Sequence, residues 1–466
     1  MQFSRAFFTI AVCFSGLSSF ASGVPRSVDE YLKGVVAAKH TPGISVAVCQ
    51  DGKLVFAKGY GFSDLQNSVP ATAKTVYRIG SVTKQFTATI IMQMEREGKL
   101  SLDDAASKFV DALPEAWRKV TIRQLLTHTS GIPSYTNQKN FLAEHSRNPT
   151  KPMGILDTVA KVPMDFEPGT NWSYDNSGYV LLGMVIEKLD MRLFGESLKA
   201  RITAPLGMSH TYFTGENVIV PNRAQGYQWG PGGYANCLYL SMDWPFAAGS
   251  MESTVEDLAK WDAALYTDKI LPKASLQRMW TACKLPSGTD TKYGFGWSVE
   301  TRDGINYVEH GGGINGFTCK IMRVMSKGLT VIVLTNSEMS NPSENATAVA
   351  ELVDPSLKRK PEATIKDDNL AMTAQAREMF AGVLAGKLDR LKLSPECSAA
   401  ISEEMLQQVH TQLGSLGELS AFELVSSTKS NSHLTRTYRA KIGAHVFKIT
   451  ISTDDKGLIA DFNIGG

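Results

Sequence analysis

The stretch GSVTKQFTATIIMQMEREG, residues 80–98, decides how this chain folds and where its chemistry lies. Its apolar residues recur every four positions, which predicts an amphipathic helix from Ser81 to Gly98. Residues three apart share a helix face, so Lys84 lies one turn from Ser81. A serine hydroxyl becomes a nucleophile only when a neighbouring group takes its proton. The pair is therefore a candidate catalytic site, although a serine that only caps the helix explains it as well.

Tyr174-Asp175-Asn176 stands directly before a second predicted helix, residues 177–189. A phenol beside a lysine ammonium can ionise, so Tyr174 is a candidate base toward Ser81 and a candidate acid toward a leaving group. The Asn176 amide can hold the lysine or a substrate carbonyl. Taken alone, the tripeptide also fits a loop tyrosine followed by a helix-capping asparagine.

His310-Gly311-Gly312-Gly313 ends a predicted strand, residues 305–310. Glycines at such a place allow a substrate backbone to approach the strand edge. A backbone N–H near Gly313, together with that of Ser81, is a candidate oxyanion hole. A glycine-rich bulge between two strands is the other interpretation.

The three motifs occur in one order, and in this the chain resembles the serine β-lactamase/DD-peptidase superfamily. It is similar above all to the class C β-lactamase-like group, which includes carboxylesterases, D-aminopeptidases and D-amino-acid amidases. The stretches 125–133, 167–169 and 248–251 add to the resemblance, which covers about residues 26–345. It implies an α/β (α+β) fold, the β-lactamase/transpeptidase-like two-lobe fold with an antiparallel sheet and a helical lobe. It also implies a covalent acyl-enzyme mechanism.

The resemblance further implies that Ser81 is acylated, that Lys84 and Tyr174 handle its proton, and that Asn176 lies near the substrate. His310 stands where penicillin-recognising members of the superfamily have a lysine. A histidine is mostly neutral at pH 7 and offers a substrate carboxylate no fixed cation. This departure favours ester or amide substrates, and a β-lactamase or penicillin-binding DD-peptidase stays as an alternative.

Strand patterns stand at both ends of this region, which predicts that they form one sheet. Residues 43–65 are typical of a β-hairpin, and residues 293–334 of an antiparallel meander. The stretch between them has mixed helix and loop character and predicts the second lobe, with 229–234 as an exposed glycine-rich loop. We expect the active site between the two lobes.

The N-terminus is typical of a secretion signal: Arg5 precedes an apolar stretch and the small residues around Ala21. We predict a signal peptide over residues 1–21, with cleavage after Ala21 or Gly23, and a periplasmic or secreted protein. An uncleaved anchor, or a lipoprotein signal at Cys13, are the alternatives. No later stretch reaches the roughly 18 apolar residues of a spanning helix.

Length and charge narrow the remaining possibilities. A chain of 466 residues favours two domains, and a net charge of +2 gives no reason to expect nucleic acid as a partner. We predict a hydrolase domain over 22–355, a linker over 356–368 and a small α+β domain over 369–466. The pattern of the last, helices and then strands, loosely resembles cystatin-like or NTF2-like domains.

The histidines and cysteines show neither HExxH nor CxxC spacing, so no metal and no cofactor is predicted. One disulfide is compatible with the scattered cysteines, but buried free thiols are favoured. The leading hypothesis is an exported serine hydrolase that acts on a small-molecule ester, amide or D-amino-acid peptide. A catalytically silent homologue that binds the cell wall or a partner protein is a further alternative, and the oligomeric state stays open.

Overall fold

The computed structural model describes residues 24–38, 41–139, 141, 145–213, 215, 218–230, 232–358, 363–429, 433–443 and 445–465. The predicted signal peptide, residues 1–21, lies outside the described residues. The chain divides into two compact units, Met1–Lys358 and Arg359–Gly466. Among the helices of the described ranges, none is long and apolar enough to cross a membrane.

The first unit is built around a seven-stranded antiparallel sheet. The strands of this unit are β1 (Gly43–Gln50), β2 (Lys53–Asp64), β3 (Val69–Pro70), β4 (Tyr77–Arg78), β5 (Tyr227–Gly230), β6 (Gly233–Asn236), β7 (Glu252–Ser253), β8 (Ser298–Arg302), β9 (Ile305–Ile314), β10 (Phe317–Val324) and β11 (Leu329–Thr335). Strands β4 and β7 form one small two-stranded sheet, and β5 and β6 form another. The order in the large sheet is β3-β2-β1-β11-β10-β9-β8. Pairing of β1 with β11 joins the N-terminal hairpin to the later meander, so the prediction of one sheet is confirmed.

Helices form the second lobe and also cover the other face of the sheet. They are α1 (Arg26–Ala37), α2 (Thr83–Arg96), α3 (Ile122–Leu126), α4 (Pro152–Asp157), α5 (Asn176–Asp190), α6 (Phe194–Leu198), α7 (Ala204–Leu206), α8 (Phe246–Gly249), α9 (Val255–Ala264), α10 (Lys273–Met279) and α11 (Pro342–Val353). One apolar core lies between the sheet and α2, α5 and α9, and a second lies between the sheet and α1 and α11.

Helix α2 differs from the predicted amphipathic helix in its start and in its surroundings. A 3₁₀ turn, Gly80–Val82, precedes it, and the α-helix begins at Thr83. Every residue from Thr83 to Met94 is buried, because the helix runs through the centre of the unit. Two of its polar side chains bond to other elements of the unit: Gln85 accepts a hydrogen bond from the Trp261 indole at 3.0 Å, and Thr87 donates to the Ala247 carbonyl at 2.6 Å.

Two strand predictions need correction. The stretch 229–234, predicted as an exposed loop, contains paired strand residues: Trp229 and Gly230 at the end of β5 pair with Tyr234 and Gly233 at the start of β6. The Trp229 and Tyr234 rings pack edge to face with centroids 4.8 Å apart. Gly233 has φ +100°, a conformation that suits a tight hairpin connection. The glycine-rich composition indicated a loop but not the pairing of the strands beside it. The predicted strand at 305–310 continues through the glycines to Ile314, because all of β9 from Tyr307 pairs with β10.

The second unit consists of three helices and a four-stranded antiparallel meander. They are α12 (Leu370–Leu384), α13 (Pro395–Ala400), α14 (Glu403–Leu413), β12 (Leu419–Lys429), β13 (Leu434–Ile442), β14 (His445–Thr453) and β15 (Ile459–Gly465). A fully buried Arg436 donates to Asp367 at 2.9 Å and also pairs with Asp368. The end of the predicted linker is thus bonded to this sheet, and the cystatin-like or NTF2-like kinship stays a prediction.

A buried ion pair ties the helical lobe to the sheet. Arg323 on β10 and Asp262 on α9 are each 1% exposed, with Nε and Oδ1 2.7 Å apart. Thr330 on β11 also donates to Asp262, at 2.9 Å. The guanidinium lies 4.9 Å from the Tyr266 ring centroid and 4.8 Å from that of Trp280. A charge so far from water depends on its partner, because neither hydration nor screening can replace it.

We expect Asp262→Ala to lower the free energy of unfolding by about 3–5 kcal/mol, since the Arg323 cation would stay buried without a counter-ion. All seven tryptophans lie in the first unit, so tryptophan fluorescence in a urea titration follows this unit alone. The control is Glu115→Ala, which removes an exposed partner of Arg118 and should cost less than about 1 kcal/mol. An equally small loss for Asp262→Ala would contradict the argument.

Candidate active site

Ser81 lies in the 3₁₀ turn before α2, where the turn meets β9 of the sheet. The preceding Gly80 has φ +47°, and a Cβ there would come within 3.0 Å of the Gly313 backbone nitrogen. Glycine is required at this position because it combines a left-handed conformation with a close backbone contact. The turn thus brings the Ser81 hydroxyl next to the glycine-rich part of β9, as the motifs predict.

Lys84 is completely buried one helical turn from Ser81. Its ammonium nitrogen lies 3.1 Å from Ser81 Oγ, 2.8 Å from Asn176 Oδ1 and 2.8 Å from the Ala248 carbonyl oxygen. Burial lowers the pKa of Lys84 to about 7, and the negative charge of Asp175 opposes that shift. A neutral amine is therefore available near pH 7, at hydrogen-bond distance from the serine hydroxyl.

The Tyr174 ring lies beside this amine, with its centroid 4.8 Å from Lys84 Nζ. Its hydroxyl is shielded from solvent and makes no hydrogen bond of standard geometry to a described residue. Burial raises the pKa of Tyr174 above its ordinary value, and the nearby Ser81 hydroxyl opposes the shift. The phenol is thus protonated at neutral pH and can donate its proton.

Asp175, the middle residue of the second motif, has a position that the sequence did not indicate. Its carboxylate caps α5 by accepting the Gly178 amide at 3.1 Å, and it accepts Ser130 Oγ at 3.0 Å. Burial raises the pKa of Asp175 to about 7. The negative charge of this carboxylate favours the ammonium form of Lys84 and so raises the pKa of that lysine.

His128 is a second residue that the sequence reasoning missed. It is completely buried at φ +59°, and its Nδ1 accepts the Asp175 backbone N–H at 3.0 Å. The ring centroid lies 4.3 Å from that of Tyr174, 4.6 Å from that of Tyr293 and 5.1 Å from that of Tyr179. Burial lowers the pKa of His128 well below its ordinary value. A neutral imidazole therefore holds both the backbone and the ring of the Tyr174 motif.

His310 lies behind the site rather than in the cavity wall. Its Nδ1 bonds the Gly311 carbonyl at 2.5 Å, so this nitrogen carries the proton, and its Nε2 lies 2.9 Å from the Tyr293 hydroxyl. Burial, followed by the nearby Lys84 charge, lowers the pKa of His310 to about 3. His310 is therefore neutral throughout the physiological pH range. From its ordinary pKa alone, the sequence predicted only that it is mostly neutral at pH 7.

A cavity of about 230 Å³ opens beside Ser81. Of the five predicted substrate contacts, Asn176 and Gly313 line it, and Asn176 is held by a 3.0 Å bond from Nδ2 to Thr136 Oγ1. His310, Gly311 and Gly312 are not among the lining residues. The structure therefore brings Ser81, Lys84, Tyr174 and Asn176 together and places most of the His-Gly-Gly motif in a supporting position.

Gly312 supports the site by close packing. A Cβ on Gly312 would lie 2.0 Å from the Ile79 carbonyl oxygen and 2.7 Å from Cys319 Sγ. The Cys319 thiol itself donates to the same Ile79 carbonyl at 3.1 Å. By contrast, a Cβ on Gly313 would meet nothing within 4 Å. Gly312 thus sets the distance between β9 and the turn that carries Ser81.

The histidines, cysteines and carboxylates of the described ranges are not arranged as a metal site. No group of three or more His, Cys, Asp and Glu side chains could hold a metal ion in the part of the chain that the structure describes. No disulfide joins the five cysteines there, which are Cys49, Cys237, Cys283, Cys319 and Cys397. Three of them are buried and two are half-buried, which agrees with the thiols that the sequence favoured over a disulfide.

Residues 28–354 match the Beta-lactamase family. Penicillin-binding protein 4* of Bacillus subtilis (strain 168) is 29% identical over 325 residues, which are 66% of this chain and 71% of that protein. The octameric penicillin-binding protein homologue from Pyrococcus abyssi superposes with a TM-score of 0.64 at 27% identity, over 91% of this chain and 90% of its own. A D-stereospecific amidohydrolase from Streptomyces sp. does so with a TM-score of 0.61 at 28% identity, over 71% and 99%.

We expect Gly312→Ala to lower the free energy of unfolding by about 1–3 kcal/mol, because the new methyl group must displace the Ile79 backbone. The matched Gly313→Ala variant, whose methyl group points into open space, should unfold like the wild type. Urea titrations followed by tryptophan fluorescence compare the two. Equal stability of the two variants would show that β9 is not packed against the turn as described.

Proposed function

The chain belongs to the beta-lactamase family of serine hydrolases, and we propose that it forms an acyl-enzyme on Ser81. The observation that carries the proposal is the 3.1 Å contact between Ser81 Oγ and the buried Lys84 amine, whose pKa is about 7. An exposed lysine is protonated at neutral pH and cannot accept a proton from a hydroxyl group. Burial gives this one the free electron pair that a general base needs.

In the proposed reaction, Lys84 Nζ takes the Ser81 hydroxyl proton while Oγ attacks the substrate carbonyl carbon. The backbone N–H groups of Ser81 and near Gly313 hold the oxyanion that forms. As the bond to the leaving group breaks, Tyr174 gives its phenolic proton to the leaving group and regains one from the Lys84 ammonium. Water then attacks the acyl-serine ester while Lys84 takes one of its protons, and Lys84 returns that proton to Ser81 Oγ as the ester bond breaks. The enzyme is thus regenerated, and the net products are a carboxylic acid and an alcohol or amine.

The substrate class that we propose is an ester, an amide or a D-amino-acid peptide. His310 supports it, because a histidine that stays neutral offers no cation for the carboxylate of a penicillin or of a cell-wall peptide. The similarity to a D-stereospecific amidohydrolase supports an amide of D configuration. Penicillin recognition is the rival, since one of the similar proteins bears the name of a penicillin-binding protein.

We also propose that the protein is exported to the periplasm or secreted. This rests on the sequence pattern of residues 1–21, which ends in the small residue Ala21. The test is the mass of the mature chain, measured by mass spectrometry, because that mass identifies the cleavage site.

The function is tested by incubating the mature protein with a fluorescent fluorophosphonate and, separately, a fluorescent penicillin. We expect the fluorophosphonate to label the wild type and not Ser81→Ala, with the adduct mapped to Ser81 by mass spectrometry. Loss of the intact lactam is followed in parallel, since rapid turnover leaves no penicillin adduct. A penicillin adduct on Ser81, or lactam loss that depends on Ser81, would favour the rival, and no labelling of folded protein would favour a silent homologue.

The labelling rate should rise with pH around a midpoint near 7, because only the free amine of Lys84 accepts the Ser81 proton. The Asp175 charge raises the lysine pKa, so Asp175→Asn should move the midpoint to lower pH while the amide oxygen keeps the cap on α5. The exposed Asp103→Asn is the control and should leave the midpoint unchanged, since water screens its charge. A midpoint near pH 10, the ordinary range of lysine, would exclude Lys84 as this base.

A further inference from the structure

The cavity beside Ser81 is apolar and carries no charge among the described residues that line it. Its large side chains are Tyr135, Phe141, Leu240, Trp244 and Ile314. Its polar groups are those of Ser81, Thr136, Asn176 and Asn315. A carboxylate or an ammonium that entered here would lose its hydration without gaining a counter-ion, which is costly. The wall therefore selects for an uncharged group.

The aromatic wall is held in place by its own hydrogen bonds. The Trp244 indole donates to the Asn148 carbonyl at 2.8 Å, and the Tyr135 hydroxyl donates to the Trp244 carbonyl at 2.9 Å. The Phe141 ring packs edge to face on both, with centroids 5.1 Å from Trp244 and 5.2 Å from Tyr135. Because these polar atoms are already paired, the two side chains offer a ligand mainly their carbon surface. The cavity is pre-formed for an apolar group.

Its volume sets the size of that group. An apolar protein cavity of about 150 Å³ is enough to bind benzene. The cavity here has about 230 Å³ and contains Ser81 in its wall, so a phenyl ring and a short carbon linker fit between the apolar side chains and the reacting carbonyl.

Apolar surface also continues from the cavity toward solvent. Leu238 and Tyr239, which directly precede Leu240 in the chain, are 49% and 50% exposed. The Asn315 amide donates to the Leu238 carbonyl at 3.0 Å and so ties this segment to the cavity wall. Exposed apolar side chains that adjoin a pocket are typical of ligand-binding grooves.

We propose that the acyl donor of this enzyme is an uncharged arylalkanoyl ester or amide, whose ring occupies the cavity of Tyr135, Phe141 and Trp244 while its carbonyl lies at Ser81. This proposal rests on the function of Ser81 proposed above. It is narrower, because it assigns the acyl side of the substrate and excludes a charged acyl group, and so it removes amides of D-amino acids with a free ammonium group from the substrates proposed above. Esters and amides share this acyl chemistry, and the test separates them by the leaving group.

The test compares acyl groups on the full mature chain. We expect kcat/KM for p-nitrophenyl 3-phenylpropanoate to exceed that for the acetate and the monosuccinate by roughly tenfold or more, as expected for filling an apolar pocket. A second comparison uses p-nitroanilides. The anilide of 3-phenylpropanoic acid is uncharged, whereas those of D- and L-phenylalanine carry the same ring and an ammonium group. We expect the uncharged anilide to have the higher kcat/KM. Faster cleavage of the succinyl ester or of either phenylalanyl anilide would overturn the proposal.

A matched pair of variants locates the effect. Phe141→Ala should lower the ratio of the phenylpropanoate to the acetate kcat/KM by roughly tenfold, since it removes one side of the pocket. Phe62→Ala removes an exposed phenyl ring on β2, outside the cavity, and should leave the ratio unchanged. The circular-dichroism spectrum shows in each case that the variant is folded, and an unchanged ratio in folded Phe141→Ala would overturn the assignment of the ring to this cavity.

Failure of this proposal differs visibly from failure of the proposed function. If all acyl groups react equally and Ser81→Ala abolishes every rate, Ser81 is the nucleophile and the cavity does not select the acyl group. If Ser81→Ala hydrolyses the esters at the wild-type rate, the proposed nucleophile is wrong, and the acyl preference of this site has no basis.

Discussion

An amine that has no contact with water must find all its hydrogen-bond partners inside the protein, and Lys84 sets this requirement for the surrounding fold. Asn176 supplies one partner from the start of α5, and the Ala248 carbonyl supplies another from α8. The Ser81 hydroxyl is the third. The lysine therefore joins three elements of the helical lobe, and the same burial that makes it a structural centre also lowers the pKa of its amine.

The opposite side of the site depends on backbone contact rather than on charge. Gly80 and Gly312 allow the catalytic turn and β9 to approach closely, with the Ile79 carbonyl between them. From Tyr307 to Ile314 the strand is paired with β10, which holds its glycine-rich part against the turn. In the proposed reaction, the helical lobe thus supplies the groups that move protons, and the sheet supplies the surface against which they are positioned.

Sequence reasoning predicted the sheet and the Ser81, Lys84 and Tyr174 cluster, because short-range spacing and motif order carry that information. It missed His128, which packs against the rings of Tyr174 and Tyr293. These residues are distant in sequence, and such contacts leave no periodic pattern in the chain. It also predicted that the whole His-Gly-Gly motif lies at the substrate; of these four residues, Gly313 lines the cavity beside Ser81, and His310 is buried. Burial of α2 on all sides was likewise not predictable, since the pattern of one helix does not reveal how many neighbours surround it.

The thiol of Cys319 lies beside Gly312 and donates a hydrogen bond to the Ile79 carbonyl. Its reaction with an alkylating reagent can therefore report local opening between β9 and the turn that carries Ser81. A buried thiol reacts with an alkylating reagent only in the moments when its surroundings open. The rate of its modification, read by peptide mass spectrometry against the half-buried Cys237 and Cys283, therefore measures how often β9 separates from the turn that carries Ser81. Cys319 is thus a built-in probe of local opening at the active site, and no label has to be introduced.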